Sequence, residues 1–303
     1  MARGTPLAAA AMLAQADAIG EWVDGLSEDD YDRPSVLAGW RVAELVAHLG
    51  LMLQAVVDVA GKSSGQRPRS IAGYLAGYPA AAEAIRDREL AAARGRAGRQ
   101  LAAMYAQGRD AVRRLLDGPP DAATTAARSG SSGPPAPPGD LGGTPDAATT
   151  HGRDAVRRRI DRPPDPAGTV LGGPGPIRWN DYLVTRVIEL VVHADDLARS
   201  LPDREPLALD RQALRVATVA LARALAERAP GQSVELRVPP YAAVQCVEGP
   251  RHSRGTPPNV VETDPLTWVR LAAGRLGWTE AVAGPFVRAS GPRANLAPWL
   301  PIL

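Results

Sequence analysis

The chain has very little cysteine and almost no lysine. Cys246 is the only cysteine among 303 residues, which excludes an intrachain disulfide and a zinc site built from cysteines. A reducing, cytoplasmic environment fits this count. Lys62 is the only lysine, and the other basic residues are arginines, a pattern typical of a GC-rich genome. The formal net charge is only +2, so nothing in the composition indicates a nucleic-acid-binding surface.

Long apolar runs are also absent. No stretch approaches the ~20 uninterrupted apolar residues of a membrane-spanning helix, so we expect no membrane association. The N-terminal segment 1–13 has Arg3 and a short alanine run, but Gln15 and Asp17 interrupt it. This pattern is typical of the start of an amphipathic helix rather than of a signal peptide.

Apolar residues recur at helical spacing in four segments of the first 200 residues. The predicted helices span about 7–26, 40–56, 80–116 and 179–199, and together they predict a four-helix bundle. Between the third and fourth helices, the segment at about 117–176 is rich in Pro, Gly, Ser, Thr and Ala. This composition predicts a flexible insert, and its Arg-rich part at 153–159 leaves open a role in binding a partner.

The sequence changes character after a short linker at 200–207. One more helix is followed by predicted strands at 233–238, 242–247, 259–262 and 286–289. A further helix is predicted at 264–276, with Asp264 as its N-cap and Pro265 at its first position. The chain is therefore predicted to have two domains, a helical one at 1–200 and a small α+β one at 208–303.

Two of the four histidines lie within apolar helical segments. His48 is in the second helix, and His193 follows Glu189 by four residues, which places that pair on one helix face. Glu189 has apolar neighbours, and an ionised carboxylate there is costly unless it is paired or bound to a cation. A His–Glu–His set with an open position suits a catalytic divalent metal, zinc first. The alternative is an ordinary side-chain pair on one helix and a core histidine on the other.

The motifs around these residues resemble one known family. Gly39-Trp40 followed by Glu44 and His48, together with the run at 189–197, resembles the mycothiol-dependent maleylpyruvate isomerase family. That family has a DinB-like four-helix bundle followed by a sterol-carrier-like domain, which the segments 235–240, 264–268, 273–275 and 289–296 resemble. The resemblance implies a metal, most simply zinc, held by His48, Glu189 and His193, and mycothiol as a co-substrate.

The resemblance also implies a reaction. The metal would activate an external thiol that attacks a maleylpyruvate-like or other small electrophile, in an isomerase or an S-transferase, so Cys246 would not be needed. Arg275, Arg288 and Arg293 are candidates for binding an anionic substrate. Asp196 either supports His193 or keeps the helix end soluble. Two other classes remain open: a non-catalytic carrier of an apolar ligand, and a metal-binding regulatory protein that uses the insert.

Overall fold

The computed structural model describes residues 7–117, 163–249 and 259–303. Its α-helices are α1 Leu7–Asp24, α2 Glu28–Asp32, α3 Val42–Ala60, α4 Ile71–Leu75, α5 Ala82–Ala93, α6 Gly98–Asp117, α7 Trp179–Ser200, α8 Arg211–Arg228, α9 Pro265–Ala272 and α10 Trp278–Ala283. Its strands are β1 Thr169–Gly172, β2 Gly175–Arg178, β3 Val234–Val238, β4 Ala242–Cys246, β5 Val260–Thr263 and β6 Val287–Ser290. Short 3-10 helices lie at Pro79–Ala81 and Ala297–Trp299.

The four long helices α1, α3, α6 and α7 pack together into the predicted bundle. Helices α3 and α6 approach closely because glycines lie where they meet: a Cβ on Gly108 would lie 3.0 Å from the Gly50 carbonyl oxygen and 3.0 Å from Leu53 Cβ. Helix α3 is long and apolar enough to span a membrane, but 72% of that stretch is buried inside the protein, as in a core helix. The predicted four-helix bundle is therefore confirmed.

The single third helix predicted at 80–116 is wrong, because a turn divides it into α5 and α6. Gly95 in this turn has a φ of +70°, a left-handed conformation that favours glycine and ends a helix. Gly98 then begins α6 against the ring of Tyr31, where a Cβ would clash, and its amide donates to the Glu28 carboxylate at 2.6 Å. The turn leaves α5 packed against α3.

The flexible insert predicted at about 117–176 lies mostly outside the described residues. At its C-terminal end the prediction is wrong, because β1 and β2 form an antiparallel hairpin that pairs Val170 with Ile177. Both of these side chains are buried. The loop after α3 bonds to this hairpin through the Ser64 amide and the Thr169 carbonyl. The hairpin is thus held by burial and by backbone hydrogen bonds.

The C-terminal domain contains a four-stranded sheet with the order β4-β3-β5-β6, in which β3 and β5 are parallel and the outer pairs are antiparallel. Buried and half-buried residues alternate along β3, as predicted. Helix α8 packs against β4 and α9 and, on the bundle side, against α1 and α7. Asp264 caps α9 as predicted, but α9 ends at Ala272, shortly before Gly274 with its φ of +68°. The predicted small α+β domain is confirmed.

Candidate metal centre

Helices α3 and α7 bring together the three residues predicted as metal ligands. His48 Nε2 lies 3.1 Å from Glu189 Oε2, and His193 Nε2 lies 3.9 Å from the same oxygen. The three ligand atoms all lie within 4.8 Å of one another. The rings of the two histidines meet edge to face, with centroids 4.7 Å apart. This is a candidate metal-binding triad of two imidazoles and one carboxylate.

The second nitrogen of each histidine is held by a carboxylate. His48 Nδ1 lies 2.6 Å from Glu89 Oε2, and His193 Nδ1 lies 3.0 Å from Asp196 Oδ2. Both carboxylates are completely buried. An acceptor at Nδ1 keeps the proton on that nitrogen and leaves the Nε2 lone pair available to a metal, a common arrangement for histidine ligands. The donor set therefore fits a divalent cation.

Arg186, about one turn before Glu189 on α7, forms an ion pair with it. Its guanidinium lies 3.2 Å from Glu189 Oε1, so one carboxylate oxygen contacts Arg186 and the other faces the histidines. Arg186 is itself buried, lies over the ring of Tyr182 at 5.0 Å and donates to the hydroxyl of Tyr78. Glu189 is thus oriented with one oxygen directed into the triad.

The electrostatics of the triad favour positive charge next to Glu189. Burial disfavours the charged forms, but hydrogen bonds to Glu189 and Glu89 raise the pKa of His48 to about 9. Burial would raise the pKa of Glu189, yet Arg186 and His48 hold that pKa well below its usual range. Burial lowers the pKa of His193, which favours its neutral, metal-binding form. A site that stabilises a proton on His48 between two carboxylates also suits a cation at that position.

The C-terminal domain is joined to this centre by two consecutive aspartates near the end of α7. Asp195 forms a two-pronged ion pair with Arg270 at 2.6 and 2.8 Å. Asp196 contacts Arg275 through two guanidinium nitrogens at 2.9 and 3.0 Å while it holds His193. Of the two roles predicted for Asp196, the structure therefore favours support of His193. The chain Arg275–Asp196–His193 links the second domain to the triad.

A cavity of about 390 Å³ opens above the triad, a volume typical of small-molecule sites. His48, Glu189 and His193 all line it. Most of its other walls are apolar and come from both domains: Trp40, Leu75, Ile85, Ile188, Val192 and Leu303. Tyr78 and two arginines, Arg86 and Arg275, also line it. The triad is thus reachable by a ligand and lies beside mostly apolar side chains.

Comparison with known proteins assigns both domains. Residues 12–155 match the family model of the mycothiol maleylpyruvate isomerase N-terminal domain, and residues 210–302 match that of the bacterial SCP ortholog. Each domain thus matches one family model, and the first is the family that the sequence motifs resemble. The predicted resemblance is therefore confirmed. The match to the isomerase domain includes His48 and Glu89, whereas Glu189 and His193 lie beyond it.

Solved structures of mycothiol-dependent maleylpyruvate isomerase share the fold of the whole chain. One crystal structure of that enzyme aligns with a TM-score of 0.50, and one of a histidine-to-alanine mutant aligns with a TM-score of 0.53. Each alignment covers 94% of this chain and 93% of the other, at 16% sequence identity. At this identity the similarity establishes the common fold. No curated protein sequence matches the chain.

Of the three arginines predicted to bind substrate, one lines the cavity and two do not. Arg275 lines the cavity, but Asp196 engages its guanidinium. Arg293 and Arg288 are exposed, and neither lines the cavity. The structure therefore brings Arg275 to the metal centre and leaves the other two away from it.

Sequence reasoning missed three residues of the site. Glu89 and Arg86 lie in the strongly charged stretch of α5, which has the composition of a solvated helix face. Arg186 resembles any other arginine of this arginine-rich chain. One signal was available: Arg186 precedes Glu189 by three residues, a spacing that brings opposite charges together on a helix. No local signal distinguishes Glu89, because its partner His48 is 41 residues away along the chain.

Proposed function

We propose that this protein is a metal-dependent enzyme that uses mycothiol as an external nucleophile, an isomerase or S-transferase acting on a maleylpyruvate-like or other small electrophile. The proposal is supported above all by the convergence of His48, Glu189 and His193 on the lining of a cavity, with a carboxylate hydrogen-bonded to Nδ1 of each histidine. The family assignment of the N-terminal domain supports the same chemistry.

The residues present would hold the metal through His48 Nε2, His193 Nε2 and one oxygen of Glu189. Two nitrogens and one oxygen with an open position form the ligand set of many catalytic zinc sites, so zinc is the metal we propose. When bound, such a metal supplies Lewis-acid chemistry that lowers the pKa of a coordinating thiol, so that thiolate is available near neutral pH.

The remaining residues of the centre hold the site in its working geometry. Glu89 and Asp196 fix the planes of the two imidazoles and keep their Nδ1 protons in place. Arg186 keeps Glu189 ionised and holds one of its oxygens. The mostly apolar lining of the cavity lowers the local dielectric constant, which strengthens electrostatic interactions at the site.

In the isomerase reaction, the thiolate would form a carbon–sulfur bond to one carbon of a cis double bond conjugated to a carbonyl. The electron pair of the double bond moves onto the carbonyl oxygen, and the former double bond, now single, rotates. The electron pair then returns, the carbon–sulfur bond breaks with its pair going to sulfur, and the trans product and the thiolate are released. An S-transferase would stop at the adduct after protonation. Both reactions need only small-molecule partners, and a cytoplasmic location fits them.

Elemental analysis and thiol-dependent turnover test this function. The purified full-length protein should contain about one divalent metal per chain, most simply zinc. Maleyl-type acids and other electrophiles should be converted only when both metal and mycothiol are present. Turnover that does not depend on thiol would instead indicate a hydrolase. A metal-free protein with no turnover and a tightly bound fatty ligand would indicate the carrier function.

One structural observation weighs against the carrier alternative. In the described part of the C-terminal domain, the apolar side chains on the inner side of the sheet pack against one another. Trp268, Leu236 and Leu296 are fully buried in this core. These side chains already fill positions in the protein core, so they are not free to line a site for an apolar ligand.

A further inference from the structure

The charged groups that line the cavity differ in whether an oppositely charged side chain contacts them. Glu189 contacts Arg186 and His48, and Arg275 contacts Asp196. Arg86 also lines the cavity, yet no carboxylate among the described residues lies within ion-pair distance of its guanidinium. The cavity thus presents one cation with open hydrogen-bond donors beside mostly apolar walls.

Helix α5 places this cation next to the metal centre. Arg86 precedes Glu89 by three residues, so the two side chains share one face of α5. Glu89 reaches His48 from that face, at 2.6 Å. Arg86 therefore lies about one helical turn from the residue that supports a metal ligand.

The chain segment opposite Arg86 leaves room for its guanidinium. Gly39 has a φ of +79°, and a Cβ at this position would lie 2.9 Å from Arg86 Nη2. The next residue, Trp40, lines the cavity and meets the His48 ring edge to face at 5.8 Å. Glycine at position 39 thus lets the guanidinium lie against the backbone beside the cavity wall.

We propose that Arg86 is the residue that recognises a carboxylate of the electrophile. The planar guanidinium can pair with a carboxylate through two parallel hydrogen bonds, while the reacting part of the substrate lies towards His48 and His193. Arg275 is less suited to this role because Asp196 occupies two of its nitrogens. The proposal rests on the proposed function and names a residue that determines the specificity of the same site.

Ligand binding without turnover tests Arg86 directly. Succinate has two carboxylates and no double bond, so it cannot undergo thiol addition, and succinamide is its uncharged counterpart. Binding of each to the metal-loaded full chain is measured by calorimetry, with tryptophan fluorescence as a second readout because Trp40 lines the cavity. The wild type should bind succinate more tightly than succinamide. Arg86→Gln should weaken succinate binding roughly tenfold or more and leave succinamide binding unchanged.

Two further variants separate a specific contact from a general charge effect. Arg94→Gln removes the same charge just beyond α5, at an exposed position outside the cavity, and should leave succinate binding unchanged. Arg86→Lys keeps the charge without the planar fork and should bind succinate with intermediate affinity. Equal succinate affinity in the wild type and Arg86→Gln would overturn the proposal, and so would equal affinity of the wild type for succinate and succinamide.

This experiment is independent of catalysis. If no electrophile is turned over with mycothiol but succinate binding still depends on Arg86, the proposed function fails and the carboxylate site stands. If thiol-dependent turnover is found and Arg86→Gln binds and converts acids like the wild type, the proposed function stands and the proposed role of Arg86 fails.

Discussion

The two sides of helix α3 show how one bundle helix serves both folding and chemistry. Towards α6, the two helices lie so close together that a Cβ on Gly108 would lie 3.0 Å from Leu53 Cβ, so this side is closely packed. Towards α5 and α7, His48 meets Glu89 and Glu189, and the buried groups there carry charge. The first side stabilises the fold by packing, whereas on the second every buried charge needs a partner. Substitutions on the charged side should therefore lower metal binding, whereas substitutions on the packed side should lower the free energy of unfolding.

The largest effect is expected from the charged side. His193→Ala and Glu189→Ala should each lose most of the bound metal and with it all thiol-dependent turnover, because each removes one of three ligands. The helical content should change little, since the packing towards α6 is untouched. Elemental analysis and far-ultraviolet circular dichroism measure the two outcomes, with the exposed Glu83→Ala as the control. Full metal content in a Glu189/His193 double variant would place the site elsewhere.

The packed side should show the opposite defect. Leu53 is completely buried, and Leu53→Ala should lower the free energy of unfolding by about 2–5 kcal/mol through lost burial and a cavity. Metal content per folded chain should stay the same. Urea unfolding followed by circular dichroism gives the stability, and Leu171→Ala, at a residue 43% exposed, is the matched control. Equal stabilities of Leu53→Ala and the control would show that the contact with α6 is not a packed core.

A smaller effect is expected when a supporting carboxylate is neutralised and the ligands stay. Glu89→Gln keeps the shape of the side chain and an acceptor for His48 Nδ1 but removes the charge that makes this imidazole a better ligand. Metal affinity should fall by about 10- to 100-fold. Competition with a chelator measures this change, and Glu83→Gln on the same helix is the control. An unchanged affinity would mean that Glu89 has only a packing role.

The smallest effect is expected at the single cysteine. Cys246 is completely buried in the C-terminal domain, and burial raises the pKa of its thiol to about 11. At pH 8 only about one thiol in a thousand is ionised, so alkylation should be very slow until the protein unfolds. Cys246→Ser should keep thiol-dependent turnover, because the nucleophile comes from solution. Mass spectrometry after iodoacetamide treatment, with and without urea, checks the first outcome. Rapid labelling of the native protein would contradict it.

The amino-acid sequence by itself determined the helical spacing, the change from helices to strands and the proximity of Glu189 to His193. These features depend on residues a few positions apart, so periodicity and capping signals expose them. His48 could be added from the sequence because it lies in a strongly apolar helix, where a histidine is unusual. Gly95 is also a sequence signal for the turn between α5 and α6. The charged residues around it continue a helical pattern, so the sequence predicts one long helix there.

Only the tertiary structure decided which charges belong to the site. Glu89 becomes a partner of His48 because α5 turns back onto α3, across 41 residues of sequence. Asp196 and Arg275 meet across 79 residues, because the second domain packs against the end of α7. In a chain whose basic side chains are almost all arginine, composition cannot show which ones are buried or paired. Burying an unpaired charge is energetically unfavourable, so each charged side chain that becomes buried needs a partner. Which side chains become buried depends on how the helices pack.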